Sequence, residues 1–386
     1  KENQASKQIL IPLSQYNKDP EFWQIIFDNL PWFQEQVNEH PNIIEDKFKF
    51  LKSYMELLTF KQKSVYFRKE QYDSKIRHRQ FELQIRRKEI LRDSFYELRP
   101  SSSKSKEKIL SNIHIKFVDE PGFDMGGLTR DWFTSLVKEL FNPNYALFKP
   151  SENCRSYQPN PSSSVNPYHL QYFEFAGLII ARAIIAGIYV DAHLTTSFIK
   201  QILGVEVTLR DLEDVDKGLY DSLVWVLNNS VNGLDFRFTT GFQDIDTAKT
   251  VELIEDGDNK VVTDDNKKDF VKLLCQHRMY EQIKDQIESF KSGFYKLISQ
   301  SEIILFTPTE LDLLICGVPE IDVDDLRKNC DFYYPYSSEH SIIKMFFNVI
   351  SKWGHEDLAK LLLFITGSSQ VPIGGFKMMK ESKQPI

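Results

Sequence analysis

The sequence predicts an α+β fold, mainly α, in which a small α+β module interrupts a helical body. Three observations carry that reading. Residues 168–188 are apolar on nearly all sides, with Phe173, Phe175, Leu178, Ile179, Ala183 and Ile184 among them, as the buried axis of a helical domain requires. Two segments, Phe81-Leu83-Ile85 and Ile113-Ile115-Phe117, alternate apolar with polar residues at the period of a half-buried strand. Residues 205–294 then change character, mixing a helical stripe with further alternating segments.

At 386 residues, 41% hydrophobic and 27% charged, the chain has room for two or three domains and a sizeable core. A net charge of −7 and a pI of about 5.7 argue against a general nucleic-acid surface. Cys154, Cys275, Cys316 and Cys330 lie far apart without C-x-x-C pairing, which supports neither a disulfide framework nor a zinc site. A reducing compartment, cytoplasm or nucleus, is the natural expectation. No uninterrupted apolar run approaches a membrane span, because Glu174, Gly177 and Arg182 break up 168–188, and the first ten residues lack a signal-peptide pattern. The first residue is Lys1 rather than methionine, so a fragment is expected.

Taken in order, residues 1–56 carry Phe22, Ile25, Ile26, Leu30 and Phe33 at helical spacing, punctuated by Pro20, Pro31 and Pro41, and read as short helices in a lead-in segment. Residues 48–80 place Lys61, Lys63, Arg68, Lys69, Arg77 and Arg79 around Leu51, Tyr54, Leu57, Leu58, Val65 and Phe67, the pattern of an amphipathic helix with a solvated basic face. After the two strands, residues 119–127 form a turn whose Gly126 and Gly127 let the backbone approach another segment closely, and a helix follows over 128–140. The spacing there matches neither a P-loop nor a dinucleotide-binding turn.

Within the module, Leu219, Leu223, Val226 and Leu227 form one helical stripe, and Leu234, Phe236 and Phe238 alternate as a strand. Val251 and Leu253, the run 256–259, and Val261 and Val262 suggest a hairpin. Thr263 is placed to cap a helix that opens with Asp264 and Asp265 and carries Phe270, Leu273 and Leu274 on one face. Helix returns through Phe294, Leu297 and Ile298, and again over 309–316. Gly317-Val318-Pro319 is a connector of one permissive and one stiff residue. A helix is expected over 340–353. Leu361 to Ile365 read as a short core segment before a turn at 366–369 and a Pro372, Gly374-Gly375-Phe376 loop.

Several ordered motifs resemble the HECT-type ubiquitin ligase domain. The block Phe117-x-x-Glu120-x-Gly122-x-Asp124-x-Gly126-Gly127-x-x-Arg130-Asp131-Trp132-Phe133 looks like the signature near the start of the HECT N-lobe. Asn142-Pro143, Asn166-Pro167-x-His169-Leu170-x-Tyr172-Phe173, Asn266-Lys267-Lys268, Gly293-Phe294 and Glu310-Leu311-x-Leu313-Leu314-Ile315-Cys316-Gly317 follow in register, and the turn and loop after Phe364 resemble the start of the C-lobe. Order over residues 57–376 makes the series far more specific than any one motif. Asn160-Pro161-Ser162-Ser163, Cys275-Gln276-x-Arg278-Met279 and Ile321-Asp322-x-Asp324-Asp325-Leu326 look most like the giant HECT ligases of the Huwe/Tom type.

The resemblance implies a bilobal fold: a lead-in over 1–56, a helical N-lobe over 57–216 and 295–316, an inserted small subdomain over 217–294, a hinge at 317–319 and the first part of a C-lobe over 320–386. It implies a ubiquitin-conjugating enzyme docked on Leu219, Ser222, Leu223, Val226, Asn229, Leu234, Phe236 and Phe270, with Phe270 an anchor whose loss weakens docking and leaves the fold intact. Asn229 stands where relatives carry an aromatic. The hinge residues would be Gly317, Val318 and Pro319. The implied reaction passes ubiquitin as a thioester from the conjugating enzyme to a ligase cysteine and then to a substrate lysine, with ubiquitin and protein substrates as further partners and no cofactor or metal. In the family that cysteine sits in a His-Thr-Cys-Phe segment, which residues 1–386 do not contain, so the nucleophile is expected beyond Ile386. Cys275 and Cys316 read as small buried hydrophobes, and Cys330 as the most exposed thiol. The alternative is a HECT-like interaction scaffold without transfer chemistry. An α-solenoid adaptor is disfavoured because no repeat period is present.

Overall fold

The structure, a computed structural model, describes residues 20–44, 47–75, 77–99, 107–152, 156–243, 248–317, 321–366, 371 and 375–377. Helices α1 (Pro20–Asp28) and α2 (Leu30–Glu39) open it, and Trp23, Ile26, Val37, Leu51 and Leu57 bury against one another as a small core of their own. Gln34 donates to the Leu57 carbonyl at 2.8 Å, fixing α2 to the turns that lead into α3 (Phe60–Lys75).

Helix α3 is shorter than the basic stretch suggested, because residues 49–53 and 55–57 are single 3-10 turns and Arg77–Ile85 is already strand β1. Its basic residues are not all solvated either. Lys63 is buried and pairs with Glu310 at 3.0 Å, while Arg68 donates to the Tyr189 hydroxyl at 2.6 Å and the Leu314 carbonyl at 3.1 Å. Both cations are therefore turned inward: Lys63 meets an opposite charge, while Arg68 meets neutral acceptors and the face of the Tyr189 ring.

Strand β1 pairs in parallel with β2 (Ser111–Phe117), Leu83 opposite Ile115 and Ile85 opposite Phe117, and helix α4 (Ile90–Leu98) forms part of the crossover. Asp124 closes the following turn. Its carboxylate accepts from the backbone N–H groups of Ile115 and Gly126, both at 2.7 Å, and from the Thr129 hydroxyl at 2.5 Å, which gives this turn a structural purpose. The paired glycines do not serve close approach as expected: a Cβ on either would meet nothing within 4 Å. Gly126 instead takes φ +98° immediately before helix α5 (Gly127–Leu140), a conformation that L side chains rarely adopt.

Helix α6 (His169–Ala186) is the axis of the main core. It has the length and hydropathy of a membrane span, but 67% of it is buried inside the protein. Arg182 is buried with it and donates to the carbonyls of Ile109 at 2.8 Å and Ser111 at 3.3 Å. Helix α7 (Thr196–Leu203) follows, then the small module, and the chain returns through α10 (Lys284–Phe294) to lie along α6. The return helix ends at Phe294; Leu297 and Ile298 are buried in the turn after it. Helix α11 (Pro308–Cys316) begins with a capping box in which Thr307 and Glu310 satisfy each other's backbone N–H groups.

Beyond the connector, α12 (Val323–Asn329), α13 (Ser341–Ile350) and α14 (His355–Thr366) share a separate core of Leu326, Phe347, Ile350, Leu358, Leu362, Val371 and Phe376. The segment read as core at 361–365 is the end of α14, and helical geometry splits it: Leu362 is buried whereas Phe364 is 87% exposed. The turn at 367–369, Pro372 and Gly374 lie outside the described residues.

Candidate docking groove and connector

The module is built on helices α8 (Lys217–Asn228) and α9 (Lys267–Met279). Asp216 caps α8 by accepting from the Leu219 N–H at 3.0 Å, and its other oxygen takes Arg278 of α9 at 2.9 Å, so one carboxylate ties the start of α8 to the end of α9. At the opposite end Lys267 donates to the Asn229 carbonyl at 2.6 Å. Asp264 accepts from the Ser230 hydroxyl at 2.6 Å, the Val231 N–H at 3.0 Å and the Asn232 amide at 2.9 Å. The hydrogen bond from Ser230 leads the causes that hold the Asp264 carboxyl below its ordinary range. Thr263 is not the cap: α9 starts four residues later behind Asn266, and Asp264 and Asp265 lie in the turn before it.

The expected strand and hairpin are displaced. The hairpin is β3 (Thr239–Gln243) with β4 (Ala248–Glu252), Thr240 opposite Val251, while Val261 bridges singly to Arg237. Residues 229–238 therefore run as an irregular segment whose polar groups are tied down by Asp264 and by the Val262 N–H to Phe236 carbonyl bond of 2.7 Å.

Against this frame the eight docking candidates separate into a floor and a rim. Leu223, Val226 and Phe270 belong to the buried core of the module, with Phe270 only 7% exposed and edge-to-face on Phe238 at 5.5 Å. Leu219 packs half-buried against that core. Leu234 and Phe236 are each 39% exposed, and Ser222 and Asn229 are exposed on α8. The burial of Phe270 conflicts with the expectation that its loss leaves the fold intact, since the ring is needed inside the module. Trp225 is the apolar residue that was missed. It is 46% exposed between Ser222 and Asn229 on the outer face of α8, and a helical wheel through those two positions finds it.

At the far end of the N-lobe, Gly317 closes α11: its N–H donates to the Leu313 carbonyl at 2.9 Å and its φ is +81°. A Cβ there would lie 2.8 Å from the Val371 carbonyl and 3.2 Å from the Tyr189 ring. Val318 and Pro319 lie outside the described residues. Arg130 reaches the Thr366 carbonyl at 3.4 Å, a second contact between the helical body and α14.

Cys275 lies in the module's buried core, and Cys316 is the last residue of α11, next to Gly317. Burial pushes the Cys275 thiol up to about 11, with Asp211 adding to it, and burial raises that of Cys316 well above its ordinary value. Cys330 is half-buried against the core of α12 to α14, and Cys154 lies outside the described residues.

Comparison with known proteins adds the remaining evidence. The family profile described as HECT-domain (ubiquitin-transferase) matches residues 134–385. The chain is 39% identical over 344 residues to the E3 ubiquitin-protein ligase HUWE1 of Mus musculus, covering 88% of this chain and 8% of that protein. It is 35% identical over 346 residues to the E3 ubiquitin-protein ligase TOM1 of Saccharomyces cerevisiae, covering 89% of this chain and 10% of that protein. Against the E3 ubiquitin-protein ligase RSP5 of the same yeast it is 37% identical over 328 residues, 84% of this chain and 40% of the relative. The chain thus spans well under half the length of these relatives.

Proposed function

This chain belongs to the HECT-domain (ubiquitin-transferase) family, and from that premise we propose that its small module docks a ubiquitin-conjugating enzyme so that ubiquitin can pass as a thioester to a ligase cysteine and on to substrate lysines. The observation that carries the reading is the pairing of a buried floor, Leu223, Val226 and Phe270, with an exposed apolar rim, Leu234 and Phe236. A module of this size fills its interior with the floor residues, and large side chains left outside it form a surface for a partner. Thioester exchange moves an acyl group between two thiols of similar reactivity, so the contribution asked of this chain is positioning.

None of the described thiols is assigned as the acceptor. A nucleophilic cysteine needs thiolate character and access, and the raised, buried thiols of Cys275 and Cys316 have neither. The test is to titrate the chain with a panel of conjugating enzymes by calorimetry, then incubate it with a ubiquitin-charged one that binds and run a non-reducing gel. Binding without a reducible adduct is expected. Absence of binding across the panel defeats the docking reading, and an adduct lost in Cys330→Ser would place the acceptor at Cys330.

We also assign Gly317 the first pivot between the helical body and the α12 to α14 unit. Its N–H is engaged and its φ positive, so proline at this position would break α11 as well as stiffen the connector. Alanine is the cleaner probe: it adds strain and a contact with the Val371 carbonyl while keeping the N–H. Gly317→Ala is expected to lower the thermal midpoint and leave conjugating-enzyme affinity within about twofold, since the module is untouched. An unchanged midpoint would show that the position is neither strained nor packed.

A further inference from the structure

We propose that His193, Asp312 and Cys316 form a binding site for a divalent metal ion of the zinc class at the root of the connector. Asp312 and Cys316 are four residues apart on α11, so they share one face of its last turns. The segment 188–194 is laid along that face. Val190 donates its N–H to the Ile315 carbonyl at 3.0 Å, and the His193 Nδ1 lies 3.1 Å from an Asp312 oxygen. The backbone of His193 is held from its other side too, because its carbonyl accepts from the Tyr157 N–H at 2.7 Å. Three donors are therefore preorganised by backbone contacts independent of any ion.

Two of the three donor separations, those to the Asp312 carboxylate, suit tetrahedral coordination. The three donor atoms lie within 4.8 Å of one another. Usual zinc bond lengths to N, O and S imply tetrahedral edges of about 3.3 Å between nitrogen and oxygen and about 3.6 Å between oxygen and sulfur. The observed separations are 3.1 and 3.2 Å from Nδ1 to the two Asp312 oxygens and 3.7 Å from Sγ to Oδ1.

The surroundings favour a cation. Asp312 and Asp191 are the charges that act on both His193 and Cys316, and both are negative. The Cys316 sulfur is buried, but the His193 and Asp312 side chains are 30% and 26% exposed, which leaves a way in from solvent. Binding would release the Cys316 thiol proton to solvent as the metal–sulfur bond forms. A His–Asp ion pair alone accounts for two of these residues and leaves the sulfur with a long contact. The ligands come from segments 119 residues apart, so no sequence spacing of the C-x-x-C kind announces them.

The test uses the whole 386-residue chain, stripped with a chelator and titrated with cobalt(II). A thiolate-to-cobalt charge-transfer band with tetrahedral d–d bands is expected to saturate at about one equivalent and to be displaced by zinc. Cys316→Ser should abolish the charge-transfer band. His193→Ala, at a half-exposed position, should weaken zinc binding about tenfold or more in a protein that still folds. Cys330→Ser should leave both unchanged. No cobalt band in the parent chain, a band that survives Cys316→Ser, or zinc affinity unaltered by His193→Ala would each overturn the site.

Discussion

Gly293→Ala and Gly177→Ala are each expected to cost about 3 kcal/mol or more of folding stability, the largest effect of any single methyl group added to this protein. The reason is the contact between α6 and α10. A Cβ on Gly177 would sit 2.0 Å from the Phe290 carbonyl oxygen, and one on Gly293 would sit 1.7 Å from that of Glu174. Each helix thus presents a glycine to the other's backbone, with Glu174 one turn from Gly177 and Phe290 one turn from Gly293. Main-chain atoms inside two packed helices cannot swing aside as a flexible side chain can, so relief requires the helices to part. Parting them opens gaps around Phe173, Phe290 and Phe294, all fully buried. The sign is diagnostic. On an open helix face, Gly→Ala stabilises by up to about 1 kcal/mol through helix propensity. Urea unfolding followed by tryptophan fluorescence distinguishes the two, and a variant as stable as the parent, or more so, would refute the close packing of α6 on α10.

Much of this architecture is legible in the residues. The apolar run around Phe175 and Ile179 could only be a buried helix, and the period-2 alternation at Leu83 and Ile115 marked two strands, because both patterns follow directly from which side of an element faces the core. What resists reading depends on distant partners. Leu234 and Phe236 alternate like a strand, yet no neighbour offers them a ladder; the Leu234 N–H goes to the Val231 carbonyl, the Phe236 carbonyl accepts from the Val262 N–H, and the hairpin forms five residues further on. Phe364 sits in an apolar run but on the outer face of α14, where only the turn of the helix decides exposure. Lys63 and Arg68 belong to a basic stretch, and nothing local reveals that Glu310 and Tyr189 wait for them across the fold. The groove residues entered through family resemblance, which located them along the chain without saying which are floor and which rim.

That division yields the sharper test of docking. Phe236→Ala is expected to weaken binding of a conjugating enzyme by about 2 kcal/mol, roughly 30-fold, with little loss of stability. Phe236 is 39% exposed and its side chain belongs to no buried cluster, so its truncation leaves no internal cavity. Phe270→Ala should behave differently. Its ring is 7% exposed and rests edge-to-face on Phe238 in the module's small core, so removing it costs about 3–5 kcal/mol of local stability through lost transfer energy and the cavity left behind. Any loss of affinity in Phe270→Ala is then confounded with a loosened module, whereas a loss in Phe236→Ala reports the surface itself. Measuring the dissociation constant and the thermal midpoint on both variants separates floor from rim. Parent affinity in a folded Phe236→Ala protein, for a conjugating enzyme that binds the parent chain, would remove Phe236 from the docking surface and with it the exposed rim on which the docking proposal rests.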